Sequence, residues 1–130
     1  MLYPLRIYMK QRRPNPDDFL PLTPAIAHIL LALADGERHG YAIMQEVARL
    51  TDGNARMGPG TLYGTIKRLL AAGLVEEADE RPDPEIDDER RRYYRITTLG
   101  SEVLEAETAR LSLLVSAART KKVGVRPRRA

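Results

Sequence analysis

Apolar residues recur along this chain with two different periods. From Ala25 to Ala34 they run nearly all round, broken only by His28. Thr23-Pro24 precedes them, a hydroxyl suited to cap a helix and a proline suited to its first position. A helix apolar on more than one face needs partners on more than one side. Asp35-Gly36 closes it, and Ile43, Met44, Val47 and Leu50 then form the stripe of an amphipathic helix from about Tyr41 to Leu50, with Gln45, Glu46 and Arg49 on its polar face. Thr51-Asp52-Gly53-Asn54 is turn chemistry. Pro59 opens a third helix reaching Ala72, with Leu62, Ile66, Leu69 and Leu70 inward and Gly73 as its left-handed stop. The period then changes. Residues 74–79 and 91–96 read as two short strands, with Tyr94 and Ile96 sharing one face. The loop between them, Glu80 to Arg90, holds Pro82 and Pro84 and is too polar to pack. Thr97 or Thr98 caps a last helix from about Leu99 to Thr120. At about 1.5 Å per residue it is roughly 33 Å long, more than so small a core requires.

Three helices, a two-stranded hairpin and a long helix, in that order, predict a mainly α fold with a small β-hairpin, a winged helix-turn-helix with an appended C-terminal helix. Residues 1–21 form a basic arm, flexible or docked; 22–97 the winged helix-turn-helix; 98–120 a dimerisation helix; and 121–130 a basic disordered tail.

The chain has 130 residues, 43% of them hydrophobic, enough for one domain with one modest core. No apolar run is long enough to span a bilayer, and the first twenty residues lack the long apolar stretch of a secretory signal, so a cytoplasmic protein is expected. There is no Cys, which excludes disulfides, thiolate catalysis and thiolate metal sites. The net charge is only +3, but the signs are segregated. Residues 1–15 carry four basic residues and no acid, and residues 121–130 carry five and no acid. No acid stands between Asp52 and Glu76, and then nine acids face two arginines over residues 76–90.

That gap in acids falls on the third helix. Stepping about 100° per residue, the side opposite its apolar stripe holds Gly60, Thr61, Gly64, Lys67, Arg68 and Ala71, with Tyr63 on the flank. An ordinary solvated helix face mixes Glu with Lys, whereas this one is small and basic and suits a polyanion. Gly64 and its small neighbours would let the helix sink into a major groove about 12 Å wide, while Thr61, Tyr63, Lys67 and Arg68 reach phosphates or base edges. In the hairpin, Arg91, Tyr93 and Arg95 alternate onto one face, expected to point outward. Arg91, Tyr93 and Arg92 are candidate phosphate contacts, since guanidinium pairs phosphate bidentately and a tyrosine hydroxyl donates to it. An intramolecular alternative has these arginines neutralising the acids just upstream. On the last helix Leu104, Leu111, Leu114, Val115 and Ala118 form an apolar stripe, extended by Leu99 and Val103, that would leave an uncommonly large exposed patch on a monomer. A homodimer interface on these residues is therefore expected.

The segment LTPAIAHILLALADGERHGYAIMQEV, then MGPGTLYGTIKRLLAAGLV, then RRRYYRITTLG, together spanning about residues 22–100, closely resembles the PadR family of bacterial transcriptional regulators. The resemblance implies a homodimeric DNA-binding protein, usually a repressor released by a small effector, with the third helix as reader, the hairpin as wing and the last helix as dimeriser. It also implies that Tyr41, Thr61, Tyr63, Gly64 and Lys67 face DNA. One helix follows the wing, as in short-tailed members, which puts any small-molecule effector at the dimer seam. The acidic stretch Glu76 to Glu89 would repel phosphate, so it is expected to point away or to pair with the basic tails. The expected partners are a pseudo-palindromic double-stranded operator and a second copy of the chain, with no membrane, cofactor or metal. No enzyme is expected: the two histidines stand alone, His28 in the core or dimer seam and His39 at the start of the second helix, without HExxH, GxSxG or a P-loop. The rival class is a winged-helix module that binds another protein instead of DNA.

Overall fold

The computed structural model describes residues 14–78 and 92–124. Helix α1 spans Pro24–Ala32, capped by the Thr23 hydroxyl, which accepts from the Ile26 N–H at 3.3 Å. It stops two residues short of the expected Ala34, with Leu33 as its C-cap. A two-residue strand β1, Arg38–His39, leads into α2, Gly40–Leu50, and α3 follows over Pro59–Ala72. Gly73 ends α3 at φ 78°, in the left-handed region that a side chain disfavours. Strands β2, Val75–Glu77, and β3, Tyr93–Ile96, precede the long α4, Thr98–Thr120.

The expected two-stranded hairpin is a three-stranded antiparallel sheet of order β1-β3-β2. Two residues are too few to show a period, which is why β1 is invisible in the sequence. The register pairs Val75 with Ile96, Glu76 with Arg95 and Glu77 with Tyr94 on one side of β3, and Arg38 with Tyr94 and His39 with Tyr93 on the other. Opposed residues share a face. Val75, Glu77, Tyr94 and Ile96 therefore lie on one face of the sheet, and Glu76, Arg95, Tyr93 and His39 on the other.

Ile29, Leu30 and Leu33 meet Ile43, Val47, Leu62, Ile66 and Leu69 in the core, which Leu74, Val75, Tyr94 and Val103 complete. Polar ties fix the joints. Arg38 donates to the Ala32 carbonyl at 2.8 Å and pairs with Asp35 and Glu46, fastening α1 to α2. Thr97 accepts from the Gly100 N–H at 3.0 Å as the cap of α4 and donates to the Gly73 carbonyl at 2.6 Å, fastening the sheet to the end of α3.

Part of the N-terminal arm is docked. Pro16–Phe19 form a 3-10 turn against α4, and Phe19, Leu20 and Leu22 pack on the core. The Leu22 N–H donates to the buried carboxylate of Glu107 at 3.0 Å, and Arg110 donates to the same carboxylate. Residues 1–13, and the tail from 125 onward, lie outside the described residues.

Helix α4 divides in two. Its first turns lie against α1 and β3, so Val103 is fully buried in the chain's own core, and Leu99 and Leu104 pack beside it. The sequence assigns these three to a dimer interface; Val103 is taken up wholly by the chain's own core, while Leu99 and Leu104 pack against that core and stay half-buried. Beyond Glu107 the helix overhangs. Leu111 is 41% exposed and Leu114 62%, and Leu113, absent from the sequence-derived stripe, is 74% exposed. Val115 and Ala118 are half-buried. Among the described residues no helix is long and apolar enough to cross a membrane.

Candidate nucleic-acid interface

Helix α3 buries Leu62, Thr65, Ile66 and Leu69, and the Thr65 hydroxyl is satisfied by donating to the Thr61 carbonyl at 2.8 Å. The opposite side is open: Gly60, Thr61, Gly64, Lys67 and Arg68 are all exposed. A Cβ added at Gly58, Gly60 or Gly64 would meet no atom within 4 Å. The helix thus presents a strip of nearly bare backbone edged by two cations. Such a strip approaches a surface more closely than one carrying long side chains, and its charge favours an anionic surface.

Between α3 and the sheet lies an open groove of about 510 Å³, lined among others by Tyr63, Gly64, Lys67, Glu77, Arg92 and Tyr94. Arg92 sits there with its guanidinium 3.7 Å from the Glu77 carboxylate. Tyr63 is half-buried, and its ring and hydroxyl cover Gly40, where a Cβ would overlap them. Its role in the fold is to lock the start of α2 onto α3 while one edge borders the groove. Tyr41, next along α2, is 52% exposed.

On the outer face of the sheet Tyr93 and Arg95 stand together, as the alternation predicts, but Tyr93 is more covered than expected. Tyr93, expected to point outward, is half-buried with its ring edge-on to His39, centroids 5.3 Å apart. The unforeseen strand β1 is the reason, because it sets His39 directly opposite Tyr93. His39 stands at the start of α2 as expected, and there it caps the helix, its Nδ1 accepting from the Ala42 N–H at 3.1 Å. Arg95 is clamped by Glu76 at 2.8 Å and by Glu37 at 3.8 Å. Arg91 and the acidic loop lie outside the described residues.

The groove therefore brings Gly64, Lys67 and Arg92 together with one edge of Tyr63. Thr61 and Arg68 lie along the exposed strip, Tyr41 stands out on α2, and Tyr93 turns to the far face. The Glu77 carboxylate in the groove is not legible as a site residue in the sequence, where it reads as one acid of the run from Glu76 to Glu89. The two-residue alternation from Val75, a buried residue, is a partial signal: it puts Glu77 on the same face as Val75, while only the register across β3 brings it beside Arg92. On α2, Glu46 is occupied elsewhere: the Arg49 hydrogen bond holds its carboxyl below the usual carboxylate range, against partial burial, with the charges of Arg49 and Arg38 adding to the effect. His28 is half-buried on α1, its Nδ1 buried without a hydrogen-bond partner. Among the described residues no three His, Cys, Asp or Glu side chains group to hold a metal ion.

Comparison with known proteins places this geometry. A family model described as "Transcriptional regulator PadR-like family" matches residues 29–106, from the buried face of α1 to the first half of α4. A transcriptional regulator of Mycobacterium tuberculosis is 39% identical over 87 residues, covering 67% of this chain and 75% of that protein. An uncharacterised 37.1 kDa protein in a transposon of Streptomyces fradiae is 41% identical over 87 residues, 65% of this chain. The match spans only 23% of that longer relative. The solved structure of a transcriptional regulator from Clostridium thermocellum superposes with a TM-score of 0.60 at 25% identity, covering 73% of this chain and 89% of that one.

Proposed function

The chain belongs to the PadR-like family of transcriptional regulators and is a DNA-binding regulator of the winged-helix type, not an enzyme, and within that class we propose a homodimeric repressor released by a small-molecule effector. The observation that carries the DNA-facing assignment is the exposed, acid-free strip of α3 beside a groove holding Lys67 and Arg92. In this reading Gly64 allows close approach, Thr61 and Arg68 reach base edges or phosphates along the strip, Lys67 and Arg92 take backbone phosphates at the groove, and Tyr41 touches the flanking backbone. Tyr63 acts chiefly by holding α2 and α3 together.

The overhanging half of α4 supports self-association. Leu111 and Leu114, with Val115 and Ala118 beside them, find a dry surroundings against a second copy of the same helix. Burying a side chain of this kind contributes about 1.5 to 3 kcal/mol. Two copies would present two α3 helices to a pseudo-palindromic operator with half-sites about 34 Å apart. Occupancy of that operator suffices to block transcription, and an effector lodged where the two α4 helices meet would change the spacing of the readers. The place of action is the cytoplasm, with the chromosome.

The test is a titration of duplex DNA from upstream of its own gene at several salt concentrations. The logarithm of the binding constant should fall against that of salt with a slope near −0.9 per phosphate contacted, and Lys67→Ala should make it shallower by about one contact. Binding that ignores salt, or no binding, refutes the interface. Sedimentation should show a dimer that Leu111→Glu dissociates, and a monomeric wild type refutes the dimer.

A further inference from the structure

We infer that Glu77 is a specificity-determining residue: an internal counter-anion that holds Arg92 away from any DNA backbone not seated closely in the groove. The inference rests on the reading of α3 and the wing as the DNA interface, and deepens it. The two described arginines of the wing are held differently. Arg95, on the outer face, is gripped by Glu76 at 2.8 Å with Glu37 beyond it. Arg92, on the groove face, meets Glu77 at only 3.7 Å, with both side chains about half exposed, at 54% and 48%. The first pair is a formed hydrogen-bonded bridge, and the second is an electrostatic pair beyond hydrogen-bond range, which a closer and better-aligned anion can replace.

Position gives that difference a consequence. Glu77 ends β2 opposite Tyr94, on the sheet face turned toward α3. Among the described residues lining the groove it is the one carboxylate, facing Lys67 and Arg92. A phosphate that enters must displace Glu77 from Arg92 and tolerate its charge nearby. A phosphate held at the groove by a fitted complex can do both, because guanidinium and phosphate then meet bidentately at short range. A backbone held loosely through water cannot, so Arg92 stays with Glu77 and the carboxylate repels the strand. The pair thereby lowers binding to arbitrary duplex more than binding to the cognate one.

The experiment compares wild-type protein with Glu77→Gln, Arg92→Gln and the double variant. Each is titrated against a duplex selected from fragmented genomic DNA for tightest binding and against a shuffled duplex of the same composition. Thermal unfolding of each variant checks that the fold is retained, as the exposure of both side chains leads one to expect. Glu77→Gln should tighten binding to the shuffled duplex about five- to tenfold, the scale of one unit charge acting at short range near a wet surface. Binding to the selected duplex should change less than about threefold, and the salt slope on the shuffled duplex should steepen by about 0.9 as Arg92 gains a phosphate. In the Arg92→Gln background the steepening should vanish. Equal changes on both duplexes, no change on either, or steepening that survives Arg92→Gln overturns the role of Glu77 while leaving the interface standing. Wild-type protein that binds neither duplex overturns the interface and this inference with it.

Discussion

Gly64→Ala should make this protein more stable and a poorer DNA binder at once. Gly64 lies inside α3, and a Cβ there would meet no atom within 4 Å, so the methyl group clashes with nothing in the free protein. Alanine in a helix interior is favoured over glycine by about 0.5 to 1 kcal/mol, through the backbone freedom glycine loses on folding. For a domain of this length that corresponds to a rise in melting temperature of roughly 2 to 5 °C. On DNA the sign reverses. If the bare strip between Gly60 and Lys67 rests against the groove floor, a methyl group must push the helix outward or leave gaps beside it. Overpacking of a fitted contact costs about 1 to 3 kcal/mol, a loss of roughly five- to a hundredfold in affinity. Differential scanning calorimetry gives the first quantity and fluorescence anisotropy with a labelled duplex at fixed salt the second. A fall in stability would show that Gly64 is held by something besides open solvent. A gain in stability with affinity unchanged within twofold would show that α3 does not lay this strip on DNA.

Two further predictions concern the ties that hold the fold. The Glu107 carboxyl is held below the usual carboxylate range, first by the hydrogen bond from Arg110, with the Leu22 N–H and the charge of Arg110 adding and burial opposing. The unfolded chain therefore takes up this proton at a higher pH than the folded one, and the contribution of Glu107 is complete above the ordinary carboxylate range and lost as pH falls through its folded value. Glu107→Gln should cost about 1.5 to 3 kcal/mol at neutral pH, flatten the acid limb of stability and speed amide exchange at Leu22, all measurable by urea unfolding across pH and by hydrogen exchange. Unchanged exchange at Leu22 would show that the arm does not depend on this bond. Gly100→Ala should destabilise by about 1 to 3 kcal/mol, because its Cβ would overlap the Leu74 carbonyl and the Ile96 side chain. A urea midpoint that stays put in Gly100→Ala would show that α4 can slide to make room.

Much of the fold is legible because it is local. The Thr23-Pro24 start, the apolar stripe of Leu62, Ile66 and Leu69, and the Gly73 stop each lie within a few turns of chain, and helix signals act over that range. The exposed strip of α3 is legible for the same reason, since Gly60, Gly64, Lys67 and Arg68 share one side of a single helix.

The disagreements that bear on the interface are long-range. Val103 and Leu111 belong to the same apolar pattern, yet one is sealed in the core and the other exposed, because α1 and β3 reach only the first turns of α4. Tyr93 lies on the expected outer face but is half covered there by His39, because a strand more than fifty residues away pairs with it. Glu77 looks like one more acid in a run until the register across β3 sets it on the groove face beside Arg92. The sequence by itself determined where the four long helices lie to within a residue or two, which side of α3 is free of acid, and which family the chain resembles, for periodicity and capping need only near neighbours. The tertiary structure decided which half of α4 is free and which wing residues meet the groove, because those depend on what packs opposite, a property no stretch of sequence carries alone.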